Sequence, residues 1–126
     1  MKSTFQFIDL PYVKDARGSL TLIEGIRHVP FEIKRIYYTY NVALDEIRVG
    51  HVRYQLDQVI FAVSGSFRIL LDGGERAEGH WMYDPRKGLY LRHLAWRTMD
   101  DFSPSAVCTA LASHVYDEAD YIRDYT

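Results

Sequence analysis

The chemistry in this sequence gathers around one short stretch, His51-Val52-Arg53, followed at fixed spacing by Gln58 and Gly65. An imidazole titrates near neutrality, so His51 is the side chain best suited to take and return a proton. Arg53 cannot act that way, because a guanidinium stays protonated. A Gln amide is a weak neutral ligand, so His51, Arg53 and Gln58 do not make a metal site, and neither metal nor organic cofactor is expected. His28, His80, His93 and His114 have no ligand spacing around them. Cys108, inside the apolar run Val107–Ala112, reads as a buried small hydrophobe. There is no Gly-x-Ser-x-Gly elbow, no Gly-rich phosphate loop before a helix and no paired-carboxylate signature. Arg35, Arg48 and Arg97 add guanidinium forks of the kind that hold a diphosphate or carboxylate. The bland alternative is a His hydrogen-bonded on a strand, arginines on solvated faces, and Tyr37, Tyr38, Tyr40 and Trp96 used for packing. Gly50 before His51, with Arg48 and Arg53 close by, favours function: a cationic pocket inside a barrel is costly unless a ligand uses it.

These residues need strands to place them. Apolar and β-branched stretches are cut at short intervals by turn chemistry, the pattern of an all-β sandwich or barrel. The expected strands are Phe5–Asp9, Ser19–Glu24, Arg35–Asn41, Arg48–Tyr54, Gln58–Val63, Ser66–Asp72, Ala77–Met82, Gly88–Leu91, Trp96–Asp101 and Val107–Ala112. Turns are expected at Asp15-Ala16-Arg17-Gly18, Ser64-Gly65-Ser66, Asp72-Gly73-Gly74 and Asp84-Pro85. Residues two apart on a strand share a face, so His51 and Arg53 are expected on one face, with Gln58–Val63 as the neighbouring strand. Tyr37 and Tyr38 must point opposite ways, so at most one of them lines a given pocket. The tail from Tyr116 to Tyr125 has acids in its first turn and suits a short helix.

At 126 residues the chain has room for one core, and 1–126 is expected to be a single domain. Fifteen Lys and Arg against seventeen Asp and Glu give a net charge of −2, which argues against a nucleic-acid binder. One Cys excludes an internal disulfide. No stretch has the unbroken apolar run of a secretory signal or a membrane span, so a cytoplasmic protein without a membrane partner is expected.

The spacing His51-x-Arg53-x4-Gln58-x6-Gly65 resembles the first motif of cupins, whose double-stranded β-helix (jelly roll) holds inward polar residues in the barrel mouth. More specifically, the chain resembles the cupin-fold, WxcM-like sugar-nucleotide 3,4-ketoisomerases. The resemblance runs through Asp15-Ala16-Arg17-Gly18-Ser19-Leu20, Arg35-Ile36-Tyr37-Tyr38, Gly50-His51 with Gln58-Val59, and Val63-Ser64-Gly65-Ser66. It continues in Gly88-Leu89-Tyr90, Trp96-Arg97-Thr98-Met99 and Tyr116-Asp117-Glu118-Ala119-Asp120-Tyr121-Ile122-Arg123. Singly these are weak; in this order they are specific, and they cover nearly the whole chain.

The resemblance implies a cupin-type jelly roll with a short C-terminal helical segment. It implies an isomerase of deoxy- and amino-sugar biosynthesis acting on dTDP-4-keto-6-deoxyglucose through an enediolate, and a homodimer. His51, Tyr37 and Arg53 are the catalytic candidates; Arg17, Arg35, Arg48, Gln58, Trp96 and Arg97 are the substrate-binding candidates, with Arg17 and Arg97 placed to influence product configuration at carbon 4. The family pattern has His-x-His where this chain has His51-Val52-Arg53. One base still suffices for the carbon protons, with Arg53 on the oxyanion and the hydroxyl proton passing through Tyr37, a water or the substrate. Three alternatives stay open: one is an isomerase or epimerase of another nucleotide-linked keto sugar, and another a nucleotide-sugar binding protein without catalysis. A ligand-free dimer module is a third.

Overall fold

The computed structural model describes residues 5–43, 47–51, 57–72, 77–92 and 96–115, with 48–51, 72, 77 and 96 placed by their backbone. Eleven strands fall among the described residues: β1 Phe5–Asp9, β2 Tyr12–Asp15, β3 Gly18–Thr21, β4 Arg35–Tyr40, β5 Arg48–His51, β6 Gln58–Ser64, β7 Phe67–Asp72, β8 Ala77–Met82, β9 Lys87–Leu91, β10 Trp96–Asp100 and β11 Val107–Ala112. They form a five-stranded sheet in the order β1-β9-β6-β11-β4, a four-stranded sheet β5-β10-β7-β8 and a separate hairpin β2-β3. Every strand pairing is antiparallel. This is the expected jelly roll; the expected helical tail lies outside the described residues.

The core follows from strand alternation. Ile60, Ala62, Leu89, Leu91, Cys108 and Ala110 of the larger sheet meet Phe67, Ile69, Leu71 and Met82 of the smaller one, and the Phe67 and Phe102 rings stack at 5.3 Å. The opposite face of the larger sheet is buried too. Val59, Phe61, Tyr90 and Leu111 are covered by Leu10, Val29 and Phe31 from the chain before β4. That double cover explains why Gln58 to Ala62 is buried at every position rather than at alternate ones.

Several turns stand where their residue chemistry places them. Gly18 (φ 140°) and Gly65 (φ 65°) hold positive φ, and Arg86 N–H donates to Asp84 Oδ1 at 2.9 Å across the Asp84-Pro85 turn. The Asp72-Gly73-Gly74 turn lies outside the described residues apart from Asp72, which pairs with Ala77.

Two expectations need correction, and one strand was not among those expected. The strand expected over Ser19–Glu24 ends at Thr21, because the chain then folds back onto the outer face of the larger sheet. There Glu24 N–H donates to His28 Nδ1 at 2.8 Å and Ile26 N–H to the Phe31 carbonyl at 2.9 Å. The unexpected strand is β2, which buries no alternating face and pairs with β3 alone. Finally, β6 is not the neighbour of β5: β5 pairs with β10 in the other sheet.

Candidate functional site

One end of the inner face of the larger sheet is polar. Strand β4 alternates, with Arg35, Tyr37 and Thr39 half-buried and Ile36, Tyr38 and Tyr40 exposed. Gln58, on the same face as Ile60 and Ala62, is 1% exposed. Between β4 and β6 runs β11, whose Ala112 pairs with both Gln58 and Arg35, and whose Ala110 pairs with Tyr37. Two methyl side chains there leave the space over β11 open, and Gln58 Nε2 reaches across it to donate a hydrogen bond to Tyr37 Oη. The Arg35 guanidinium lies over the Tyr37 ring, 5.1 Å from its centroid, an attraction between cation and ring face. The start of β6 is pinned: Asp57 N–H donates to Ser113 Oγ at 2.9 Å and Ser113 N–H to the Asp57 carbonyl at 3.0 Å. On the outer face Tyr90 Oη donates to Asp57 Oδ2 at 3.3 Å, and burial foremost, then the Asp57 charge, pushes the Tyr90 phenol up.

The opposite wall is β10. Arg97 and Met99 stand in register with Leu71 and Ile69, both core residues, so Arg97 faces inward. Its Nη1 is buried and has no hydrogen-bond partner among the described residues. A buried guanidinium nitrogen left so is a costly arrangement that an anionic ligand relieves. Outside the barrel, Arg68 grips Asp100 with two bonds, Nε to Oδ1 at 2.8 Å and Nη2 to Oδ2 at 2.6 Å. That fork ties β7 to β10 and so fixes the strand that carries Arg97; it also holds the Asp100 carboxyl below the usual carboxylate range.

Tyr37, Gln58, Arg35 and Arg97 are thus brought to the facing inner walls. The β5 backbone sets Arg48 in register with Met99, Gly50 with Arg97 and His51 with Trp96, beside the same wall. The side chains of His51, Arg48 and Trp96, and all of Arg53, lie outside what is described. Arg17 is not brought in: it stands at the tip of the β2–β3 hairpin, 91% exposed at its side chain, bonded to Asp15 Oδ2 at 2.9 Å. The partnership of Gln58 with Tyr37 was not foreseen. It joins positions 21 apart through a third strand, and no local spacing signals it.

A hollow of about 770 Å³ opens on the outer face of the larger sheet between the β2–β3 hairpin and Phe61, Thr109 and Leu111. Its walls are Tyr12, Lys14, Ile33, Ile36 and Arg86 among others, with the Arg86 guanidinium 4.5 Å over the Tyr12 ring.

Residues 3–126 match the family model described as FdtA: WxcM-like, C-terminal. The chain is 41% identical over 118 residues to a TDP-4-oxo-6-deoxy-alpha-D-glucose-3,4-oxoisomerase of Aneurinibacillus thermoaerophilus, covering 94% of this chain and 85% of that one. It is similar in structure to a mutant of the 3,4-ketoisomerase QdtA from Thermoanaerobacterium thermosaccharolyticum in complex with TDP-4-keto-6-deoxyglucose. That match has TM-score 0.93 at 39% identity, over 99% of this chain and 91% of the other. A TDP-quinovose 3,4-ketoisomerase, WlaRB from Campylobacter jejuni, matches with TM-score 0.90 and 39% identity, over 98% and 95%.

Proposed function

The chain belongs to the FdtA, WxcM-like family, and from that premise we propose that it is a sugar-nucleotide 3,4-ketoisomerase that converts TDP-4-keto-6-deoxyglucose to its 3-keto isomer. The observation that carries this is the inner-face cluster of Tyr37, Gln58 and Arg35, opposite Arg97, whose Nη1 has no hydrogen-bond partner among the described residues. It offers a hydroxyl for a sugar and fixed positive charge for an anion, inside a mostly apolar barrel.

The ketone at carbon 4 acidifies the proton on carbon 3. His51 removes that proton, the electron pair forms the carbon 3–carbon 4 double bond, and the carbonyl electrons move to oxygen 4. Arg53 stabilises the negative charge there. A proton passes from oxygen 3 to oxygen 4 by way of Tyr37. Collapse of oxygen 3 to a ketone then draws the proton on His51 to carbon 4. Arg35, Arg48 and Arg97 hold the diphosphate, Trp96 lies against the base, and Gln58 stands behind Tyr37 in the wall on the sugar side.

The working unit is a homodimer in this proposal. Two surfaces support it: the projecting hairpin, with Tyr12, Val13 and Leu20 exposed, and the edge strand β4, with Ile36, Tyr38 and Tyr40 exposed. Sedimentation at twice the chain mass is expected. A cytoplasmic location belongs to the same proposal; among the described residues no helix is long and apolar enough to cross a membrane.

Incubation with TDP-4-keto-6-deoxyglucose, followed by NMR of the sugar, tests the function. A 3-keto product is expected. Tight binding of TDP with no product and no exchange of carbon-bound hydrogen supports the non-catalytic alternative instead.

A further inference from the structure

Gln58 is the largest polar side chain in the core and is 1% exposed, yet its amide is only half used. Nε2 donates to Tyr37 Oη, while Oε1 is buried without a hydrogen-bond partner among the described residues. A buried amide so placed is a poor choice for stability alone, since an apolar side chain of the same shape leaves nothing unsatisfied. The direction of the one bond it makes is informative. A phenol oxygen that accepts from an amide N–H keeps its own proton for another acceptor. Arg35 over the ring face closes a second approach, so the tyrosine is held on two sides.

Resting on the ketoisomerase function above, we propose that Gln58 is a positioning residue: by donating to Tyr37 Oη, it turns the phenolic proton toward the sugar oxygens. It thereby governs the oxygen-to-oxygen proton transfer and not the carbon-to-carbon one. In that transfer the Tyr37 O–H bond breaks as the oxygen 4–hydrogen bond forms. The oxygen 3–hydrogen bond then breaks to restore the phenol. Tyr37 ends as it began, and no outside donor is needed. Gln58 touches no reacting atom; it acts through the tyrosine.

The two proton movements are separable in deuterium oxide. When the oxygen transfer fails, the enediolate made by His51 returns to substrate carrying deuterium at carbon 3. Gln58→Met, which keeps the length and removes the donor, is expected to lower product formation about 10²-fold. Carbon-3 exchange into substrate is expected to stay within about threefold of wild type, because the base is untouched. Tyr37→Phe should give the same split and independently tests the proposal should Gln58→Met not fold. The double variant should lose no more than Tyr37→Phe alone, the non-additivity of residues acting as a unit. Unchanged melting temperature and TDP affinity in Gln58→Met accompany the expected result. Equal loss of exchange and product in both single variants overturns the proposal while leaving the ketoisomerase function standing. Additive losses in the double variant also overturn it. Wild-type protein that gives neither exchange nor product overturns both.

Discussion

At the centre of the five-stranded sheet both faces are buried, but they hold different kinds of residue. Outward, Val59, Phe61, Tyr90 and Leu111 sit against Leu10, Val29 and Phe31 in a layer that is apolar but for one phenol. Inward, the same strands carry Ala62 and Cys108 toward one end and Gln58, Tyr37 and Arg35 toward the other. The outward layer stabilises; it satisfies itself and asks for nothing. Among the described residues, the inward end leaves Gln58 Oε1 and the facing Arg97 Nη1 without hydrogen-bond partners, which fits the ligand site proposed above. Neighbouring residues of one strand can therefore have unrelated duties. On β11, Leu111 belongs to the outer layer while Ala110 and Ala112 clear the space in which Gln58 meets Tyr37.

Substitutions should divide along that line. The largest effect is expected from His51→Asn, which removes the base and should lower turnover about 10³-fold or more with TDP affinity preserved. Steady-state kinetics beside calorimetric titration of TDP checks this, and a variant with turnover near wild type removes His51 from the mechanism. Next is Leu111→Ala. It should cost about 3 kcal/mol of stability in chemical denaturation yet leave the kcat of the folded protein unchanged. A large loss of kcat at full folding would erase the distinction between the two faces. Arg97→Leu should do the reverse, weakening TDP binding about 10- to 100-fold without lowering the melting temperature of the free protein. A destabilised variant with normal TDP affinity would make Arg97 a structural residue.

The smallest effect concerns the Arg68–Asp100 fork, which acts on the inner wall only through β10. Arg68 holds the Asp100 carboxyl below its ordinary range, so the unfolded chain takes up that proton first as the pH falls. The fork's stabilisation is therefore complete above about pH 4 and lost as the pH drops through the depressed native value. Asp100→Asn should lower the melting temperature modestly at pH 7 and flatten its acid decline. An acid decline as steep as that of wild type contradicts the assignment.

Strand content was legible wherever a strand buries a face. The bounds of β1, β8 and β11 coincide with those read from periodicity, and Cys108 is a buried small hydrophobe as its apolar run implied. The exposed β2 was not legible, because a strand without a buried face has no hydrophobic period. Nor was strand order: His51 and Gln58 are seven positions apart, yet β5 and β6 lie in opposite sheets, since sequence proximity does not say which edge a strand joins. The inward direction of Tyr37 was within reach, because alternation requires Tyr37 and Tyr38 to diverge. That Gln58 would spend its donor on Tyr37 was not, since it depends on two alanines of a third strand.

In the function proposed, the polar end of the inner face, and not the hollow beneath the hairpin, receives the sugar nucleotide. A crystal structure of the His51→Asn variant with TDP-4-keto-6-deoxyglucose tests this most directly. The hexose is predicted within hydrogen-bonding distance of Tyr37 Oη, with Arg97 Nη1 engaged by the ligand. A ligand seated against Phe61, Leu111 and Arg86 on the outer face would contradict it.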